Sequence, residues 1–273
     1  IGGLTLSDAT VIIDGDPLGS LRWTDVDLSM TREGEVLVVA GHAAAGAAAE
    51  AHFQGRMPLG GDQIDIDQFL VELNLSDRSS RSALPPSMQV AIADIRAGQL
   101  SVTGDGTLSL ADPMRASTAA MTLQLDDGAW DQAGYRFEGL SGTAPVSLAD
   151  ARLTTAGAAI SGLGGRFGVP AGWWSIPDNR GNLRWTLTGL NLTQLRIIEG
   201  SPNALEGTVQ GKGRLDLLVT AADGLIVPAG RGSLDVRDGK LLSLPALGLL
   251  TREEDKTGDD ALNIGFQLDE QAA

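Results

Sequence analysis

Along most of the chain apolar residues alternate with polar ones at a period of two, and glycine, aspartate and asparagine interrupt the alternation. Ile64 and Ile66 share one parity, and Phe69, Val71, Leu73 and Leu75 take the other. A switch of parity at Asp67-Gln68 is the mark a β-bulge leaves in a sequence, because one extra residue turns every later side chain to the opposite face. Further alternating runs are Val90/Ile92, Leu100/Val102, Leu108/Leu110, Met121/Leu123/Leu125, Leu183/Trp185/Leu187, Leu215/Leu217/Val219, Leu234/Val236 and Leu262/Ile264/Phe266/Leu268. Between them stand Gly104-Asp105-Gly106, Asp126-Asp127-Gly128, Asp178-Asn179-Arg180-Gly181 and Asp238-Gly239. These segments read as hairpin turns, since Gly, Asp and Asn accept positive φ at little cost. The pattern predicts a mainly β chain folded as a long antiparallel meander.

One or two short helices are expected. Asn191–Gly200 places Leu192, Leu195 and Ile198 on one helical face, with Asn191 as N-cap and Gly200 as a stop. Pro245–Thr251 has proline at a first helical position and Ser243 just upstream. The alanine-rich stretch His42–His52 has helical propensity. The β-branched run Val36–Val39 before it and His52-Phe53-Gln54 after it favour two strands turning near Gly46, and that is the reading preferred here. A candidate boundary falls at Ser76–Ser87, rich in Ser, Arg and Pro, where Pro85-Pro86 forces extended backbone. It divides the chain into an N-terminal β-segment, 1–82, and a larger region, 83–273, or is a long loop within one continuous sheet.

Composition narrows the classes. The 273 residues include 20 Lys+Arg against 35 Asp+Glu, a net charge of −15, and no cysteine. Without cysteine there is no disulfide scaffold, thiolate metal site or thiol nucleophile. The acidic balance argues against a broad electrostatic grip on nucleic acid or on an anionic bilayer. No run approaches the ~18 apolar residues of a membrane span. The chain opens at Ile1 without a signal-like segment and reads as a piece of a longer protein.

Candidate chemistry is sparse. His42 and His52 are the only imidazoles, ten residues apart; a metal pair or catalytic base would need carboxylate partners, and surface histidines of a hairpin are the ordinary alternative. The acidic doublets Asp25/Asp27, Asp65/Asp67 and Asp126/Asp127 invite a glycosidase reading. However, the first two alternate with apolar residues, as on the solvent face of a strand, and the third precedes Gly128 as in a turn. Gly162–Gly168 is glycine-rich but lacks the long helix that a phosphate cradle needs, so it reads as a bend between strands. Trp173-Trp174 could stack on a sugar, close the end of an apolar groove, or cap a sheet edge. No nucleophile elbow, Walker loop or zinc-protease motif is present, and no catalytic residue, metal or cofactor is assigned. The chain is expected not to be an enzyme.

A meander of this length carries a whole face of Leu, Ile, Val and Phe, which must pair with a second sheet, close on itself or curl around something apolar. Few aromatics and 36 glycines suit a curved sheet with room for a guest. The segments from Gly181 to Gly239 then take on a recognisable order. Gly181-Asn182-Leu183-Arg184-Trp185-Thr186-Leu187 leads through Leu190-Asn191-Leu192-Thr193-Gln194-Leu195 to Leu205-Glu206-Gly207-Thr208-Val209-Gln210-Gly211. Gly213-Arg214-Leu215-Asp216-Leu217, Gly230–Gly239, Lys240–Pro245 and Leu262–Leu268 follow. This order resembles the C-terminal region of AsmA-like envelope proteins, and the Leu84-Pro85-Pro86 and Ile92–Val102 segments are similar to strands of the wider TamB and YdbH-like group.

The resemblance implies a curved, groove-like (β-taco) sheet in the periplasm of a Gram-negative-type envelope, anchored to the inner membrane by a helix outside this chain. It implies a lipid-binding or lipid-conducting module with phospholipid acyl chains as partners, supporting phospholipid transport or outer-membrane homeostasis; membrane contact would come through segments absent from this chain. It carries over no catalytic residue. The expected groove lining is Leu183, Trp185, Leu187, Leu215, Leu217, Val219, Leu234, Val236, Ile264 and Phe266, whose ordinary alternative is a packed sandwich core. Two other classes stay open: an envelope or secretion-system assembly scaffold acting through sheet-edge pairing, and a polysaccharide-active β-protein using Asp65/Asp67 and the tryptophan pair.

Overall fold

A computed structural model of the chain describes residues 3–15, 19–44, 49–77, 94–132, 134–198, 205–219, 226–238 and 261–268; at 13–15, 19–22, 219, 226–228 and 261–268 only the backbone is described. It is mainly β. Among the described residues sixteen strands form one sheet: β1 (Gly3–Gly15), β2 (Gly19–Glu33), β3 (Val36–Ala44), β4 (Ala49–Pro58), β5 (Gln63–Asn74), β6 (Ile95–Ser109), β7 (Thr118–Gln132), β8 (Tyr135–Ala149), β9 (Arg152–Thr155), β10 (Ala158–Gly162), β11 (Gly165–Ser175), β12 (Arg180–Asn191), β13 (Arg196–Ile197), β14 (Thr208–Val219), β15 (Ile226–Arg237) and β16 (Ala261–Leu268). Hydrogen-bonded neighbours follow chain order, β1 to β8, then β10-β11-β12-β14-β15-β16, with β9 beside β8 and β11 and β13 beside β8. The expected antiparallel meander is the observed one. Among the described residues no helix is long and apolar enough to cross a membrane.

The chain divides into two compact units, Ile1–Leu125 with Pro145–Leu153, and Asp126–Ala144 with Thr154–Ala273. In the first unit the bulge read from the sequence is present. Gln54 pairs with Gln68 and Gly55 with Ile66, so Asp67 is the extra residue, and the register against β6 shifts at the same place. Beyond it Val71 and Leu73 face the side on which Ala49, Leu73 and Leu75 form a buried cluster with Trp23, Ile95, Leu100 and Leu125 against it. The alanine-rich stretch is two strands rather than a helix: β3 and β4 pair from Val36↔Pro58 to Ala44↔Glu50. The strands on either side of Ser76–Ser87, β5 and β6, pair with each other from Gln63↔Ser109 to Asn74↔Gln99.

Two expected turns are strand interior. Gly104-Asp105-Gly106 lies within β6 and Asp126-Asp127-Gly128 within β7. At Gly104 the reason is space, because a Cβ there would collide with the Ala120 carbonyl oxygen and lie 2.9 Å from the Phe69 ring. The glycine thus admits a close backbone neighbour and an aromatic side chain rather than a reversal. Asp127 has φ +50° and forms an irregularity in a continuing strand, its N–H donating to Ser141 Oγ at 3.3 Å. The glycine-rich bend at Gly162–Gly168 is a tight hairpin between β10 and β11. Leu163 and Gly164 both have positive φ, and Gly162 pairs with Gly165, as a two-residue type I′ turn requires.

The helix expected over Asn191–Gly200 shortens to one 3-10 turn, Leu192–Gln194. Its predicted cap is real, since the Asn191 side chain accepts from the Thr193 N–H at 3.0 Å. The helix does not continue because the neighbouring strands take its backbone groups. Leu192 N–H donates to Gly207 O at 2.9 Å, Arg196-Ile197 pair with β8, and Ile198 N–H donates to Gly134 O at 3.0 Å. Ile197 and Ile198 are β-branched and lose little by this. The predicted helix at Pro245–Thr251, the Val90/Ile92 run and Gly239 lie outside the described residues.

Close glycine contacts make a test. Gly104→Ala should cost about 1–3 kcal/mol, read as a lower urea midpoint for unit 1 with an unchanged far-ultraviolet spectrum; no change in midpoint would show that Phe69 does not need the space.

Candidate functional site

In the second unit, register aligns apolar positions from strand to strand. Leu183 of β12 faces Leu215 of β14, which faces Gly230 of β15. The next row is Trp185, Gly213 and Gly232, and the next Leu187, Gly211 and Leu234. The β12–β14 register shifts between Leu187 and Leu190, with Gly189 at φ +68°, and this bulge returns Leu190 to the same face, opposite Val209 and Val236. Ile264 pairs with Leu234, Phe266 with Gly232, and Val219 with Ile226 at the far end of β14. All ten positions expected to line a groove thus share one face of β12, β14, β15 and β16, although the side chains of Val219, Ile264 and Phe266 lie outside the description.

Glycines shape this face. The Trp185 indole lies over Gly213 and Gly211; a Cβ on Gly213 would come within 2.7 Å of the ring and 2.6 Å of the Arg231 carbonyl oxygen. Trp174 covers Gly181 in the same way. Alternation turns Trp173 to the other face, opposite Asn182, so Trp173 and Trp174 do not make a stacked platform. That other face is charged: Arg184, Arg214 and Arg231 occupy directly opposed register positions, with Lys212 one row away. Arg214 meets Asp216 at 3.3 Å.

The apolar face has two different ends. At one, Leu192, Leu205, Val209 and Val236 form a buried cluster with Tyr135, and Leu187, Leu190, Leu195 and Leu234 pack on it. Here the 3-10 turn acts as a lid of ordinary core, and Val236 is 2% exposed. At the other end Leu183, Leu215 and Leu217 are only half-buried. Of the expected lining, Trp185 and Val236 are buried, Leu187 and Leu234 are partly buried and pack on the Tyr135 cluster, and Leu183, Leu215 and Leu217 lie half-buried toward the other end.

The acidic doublets are engaged singly. Asp65 accepts from Thr107 Oγ1 at 3.2 Å and Asp67 pairs with Arg56 at 3.4 Å. Asp25 sits at a bulge with φ +49°, while Asp27 accepts from the Asp8 N–H at 3.1 Å. The two histidines, by contrast, are brought together. His42 and His52 are direct partners across β3 and β4, with ring centroids 4.6 Å apart, and both Nε2 atoms point at Glu50 Oε1, at 3.2 and 2.8 Å. Hydrogen bonds from His52 and then His42 hold the Glu50 carboxyl below the ordinary carboxylate range. On β2, Asp27 Oδ2 stands 4.0 Å from His42 Nδ1. Reading the sequence missed Glu50 and took Asp27 only as half of an acidic doublet, because their relation to the imidazoles exists only once the strands are in register.

Compared with family models, with curated proteins and with solved structures, the chain has no match.

The division of the apolar face is testable by charge insertion. Val236→Asp should destabilise unit 2 by about 3 kcal/mol or more, since it buries an unpaired carboxylate, and Leu217→Asp by about 1 kcal/mol, since the half-buried site can hydrate it. Urea unfolding followed by tryptophan fluorescence would decide; equal costs would mean that the open end is core as well.

Proposed function

We propose that this chain is a non-enzymatic lipid-binding module, its ligand the acyl chains of a phospholipid lying along the half-buried Leu183, Leu215 and Leu217 end of the apolar face. The observation that carries the reading is the row-by-row alignment of apolar positions on one face of β12, β14, β15 and β16, set against a charged opposite face. Apolar side chains gain by covering acyl carbon at about 0.8 kcal/mol per buried CH₂. The glycines of the middle row keep the surface low, with the Trp185 indole as its floor. The likeness of Gly181–Leu268 to AsmA-like envelope proteins supports the same chemistry. On that likeness the module works in the periplasm of a Gram-negative-type envelope, held at the inner membrane by a helix outside this sequence, in phospholipid transport or outer-membrane homeostasis. The net charge of −15 favours solubility and opposes collapse of an apolar sheet onto anionic lipid surfaces.

A second reading is favoured by β1. It is the outer strand of the sheet order, thirteen residues long, and it exposes Leu4, Leu6 and Ile12 by 64%, 44% and 57%. A long apolar edge suits pairing with a strand of another protein, as in an assembly scaffold.

Native mass spectrometry of the purified chain, followed by organic extraction, separates the two. Stoichiometric phospholipid that survives gel filtration, and is lost in a folded Leu217→Asp variant, is the expected result. A clean lipid-free mass with no uptake of a fluorescent phospholipid would overturn the lipid reading and leave the β1 edge as the functional surface.

A further inference from the structure

We infer that His42, His52 and Glu50 form a binding site for a divalent transition-metal ion of the zinc class, on the polar face of the first unit. The inference stands apart from the lipid reading and uses none of its residues. It begins with register. His42↔His52 is a direct cross-strand pair, and Ala44↔Glu50 places Glu50 two residues before His52, hence on the same face. Nδ1 or Nε2 of each histidine and a carboxylate oxygen of Glu50 all lie within 4.8 Å of one another.

The separations suit coordination. Zinc bound to imidazole nitrogen and carboxylate oxygen at about 2.0–2.2 Å, with tetrahedral angles, sets its ligand atoms about 3.3 Å apart. Glu50 Oε1 lies 3.2 Å from His42 Nε2 and 2.8 Å from His52 Nε2. An ion could take the place of the two N–H···O bonds if the shorter gap opened by about half an ångström, which is small for a Glu50 side chain that is 50% exposed. The donor set decides the class of ion. Two imidazoles and one carboxylate suit Zn²⁺, Cu²⁺ or Ni²⁺, whereas Mg²⁺ and Ca²⁺ want oxygen throughout. Three protein ligands on an exposed face leave a fourth position for water or for a group on another molecule.

The surroundings agree. His42 uses Nε2 toward Glu50 and presents Nδ1 to Asp27 Oδ2 at 4.0 Å, the outer carboxylate that commonly orients a metal-binding imidazole. Glu72 on β5 occupies the register position next to Glu50 and adds negative charge on the same face. Beneath the site, Phe53 lies over Gly41, so the ligand-bearing stretch of β3 and β4 is seated on a packed side chain on the opposite face. The site thus bridges two adjacent strands on a preformed backbone, and metal binding would fasten them to each other.

The test uses the full chain without a histidine tag, titrated with ZnCl₂ in competition with a chromophoric chelator. The expected result is one equivalent of Zn²⁺ bound with a micromolar or lower dissociation constant. His42→Ala and His52→Ala should each weaken binding by at least about 100-fold, and Asp27→Asn by about 10-fold. Titration with CuCl₂ should give an electron paramagnetic resonance spectrum with two nitrogen ligands, a readout that needs no variant. Circular dichroism confirms that the variants keep the sheet. Absence of saturable Zn²⁺ binding below a millimolar in the natural sequence, or binding unchanged in the folded double variant H42A/H52A, would overturn the inference and leave a hydrogen-bonded His–Glu–His surface group.

Discussion

The ladder of hydrogen bonds between neighbouring antiparallel strands is the constraint on which the rest of this molecule depends. In a meander each strand meets the strands beside it, so register is passed along from one pair to the next, and register alone decides which side chains share a face. A single extra residue changes the outcome for everything after it. Asp67 does this in β5, turning Val71 and Leu73 to the buried side, and the shift after Leu187 does it in β12, bringing Leu190 back to Leu187's face. Without the first bulge the cluster around Leu73 and Leu75 would lose its strand, and without the second the cluster beneath the 3-10 turn would lose Leu190.

Glycine is the partner of this constraint. Aromatic rings lie over glycines of adjacent strands at four described places, Phe53 over Gly41, Phe69 over Gly104, Trp174 over Gly181 and Trp185 over Gly213. In each, the missing Cβ makes room for a large ring against a neighbouring strand, which buries aromatic surface. Among the described residues many glycines thus lie within strands, including those of two segments, Gly104–Gly106 and Asp126–Gly128, whose residues had suggested turns.

The two faces of the sheet carry different chemistries because alternation keeps them apart. In the second unit one face holds rows of leucine, valine and tryptophan and the other a row of arginines. In the first unit the polar face gathers Asp27, His42, Glu50 and His52 from three successive strands. Lipid contact is proposed for the first of these surfaces and metal binding for the last, and each rests on local register within its own unit.

The strand character of this chain, the bulge at Asp67, the hairpin through the alanine-rich stretch and the cap at Asn191 were all legible in the sequence. Each is a local property: period-two alternation, a break in it, β-branched flanks, a side chain that can accept from its own backbone. Glycine and aspartate pairs misled at Gly104–Gly106 and Asp126–Gly128, because the same residues that permit a turn also permit a close neighbour or a bulge, and the choice depends on what the next strand brings. The helix after Asn191 failed for a related reason, its backbone groups being claimed by β8 and Gly207. Tertiary structure alone decided that Val236 is core while Leu217 stays half open, and that two histidines ten residues apart meet one carboxylate. Pairwise register is a property of two strands at once, and no single stretch of sequence contains it.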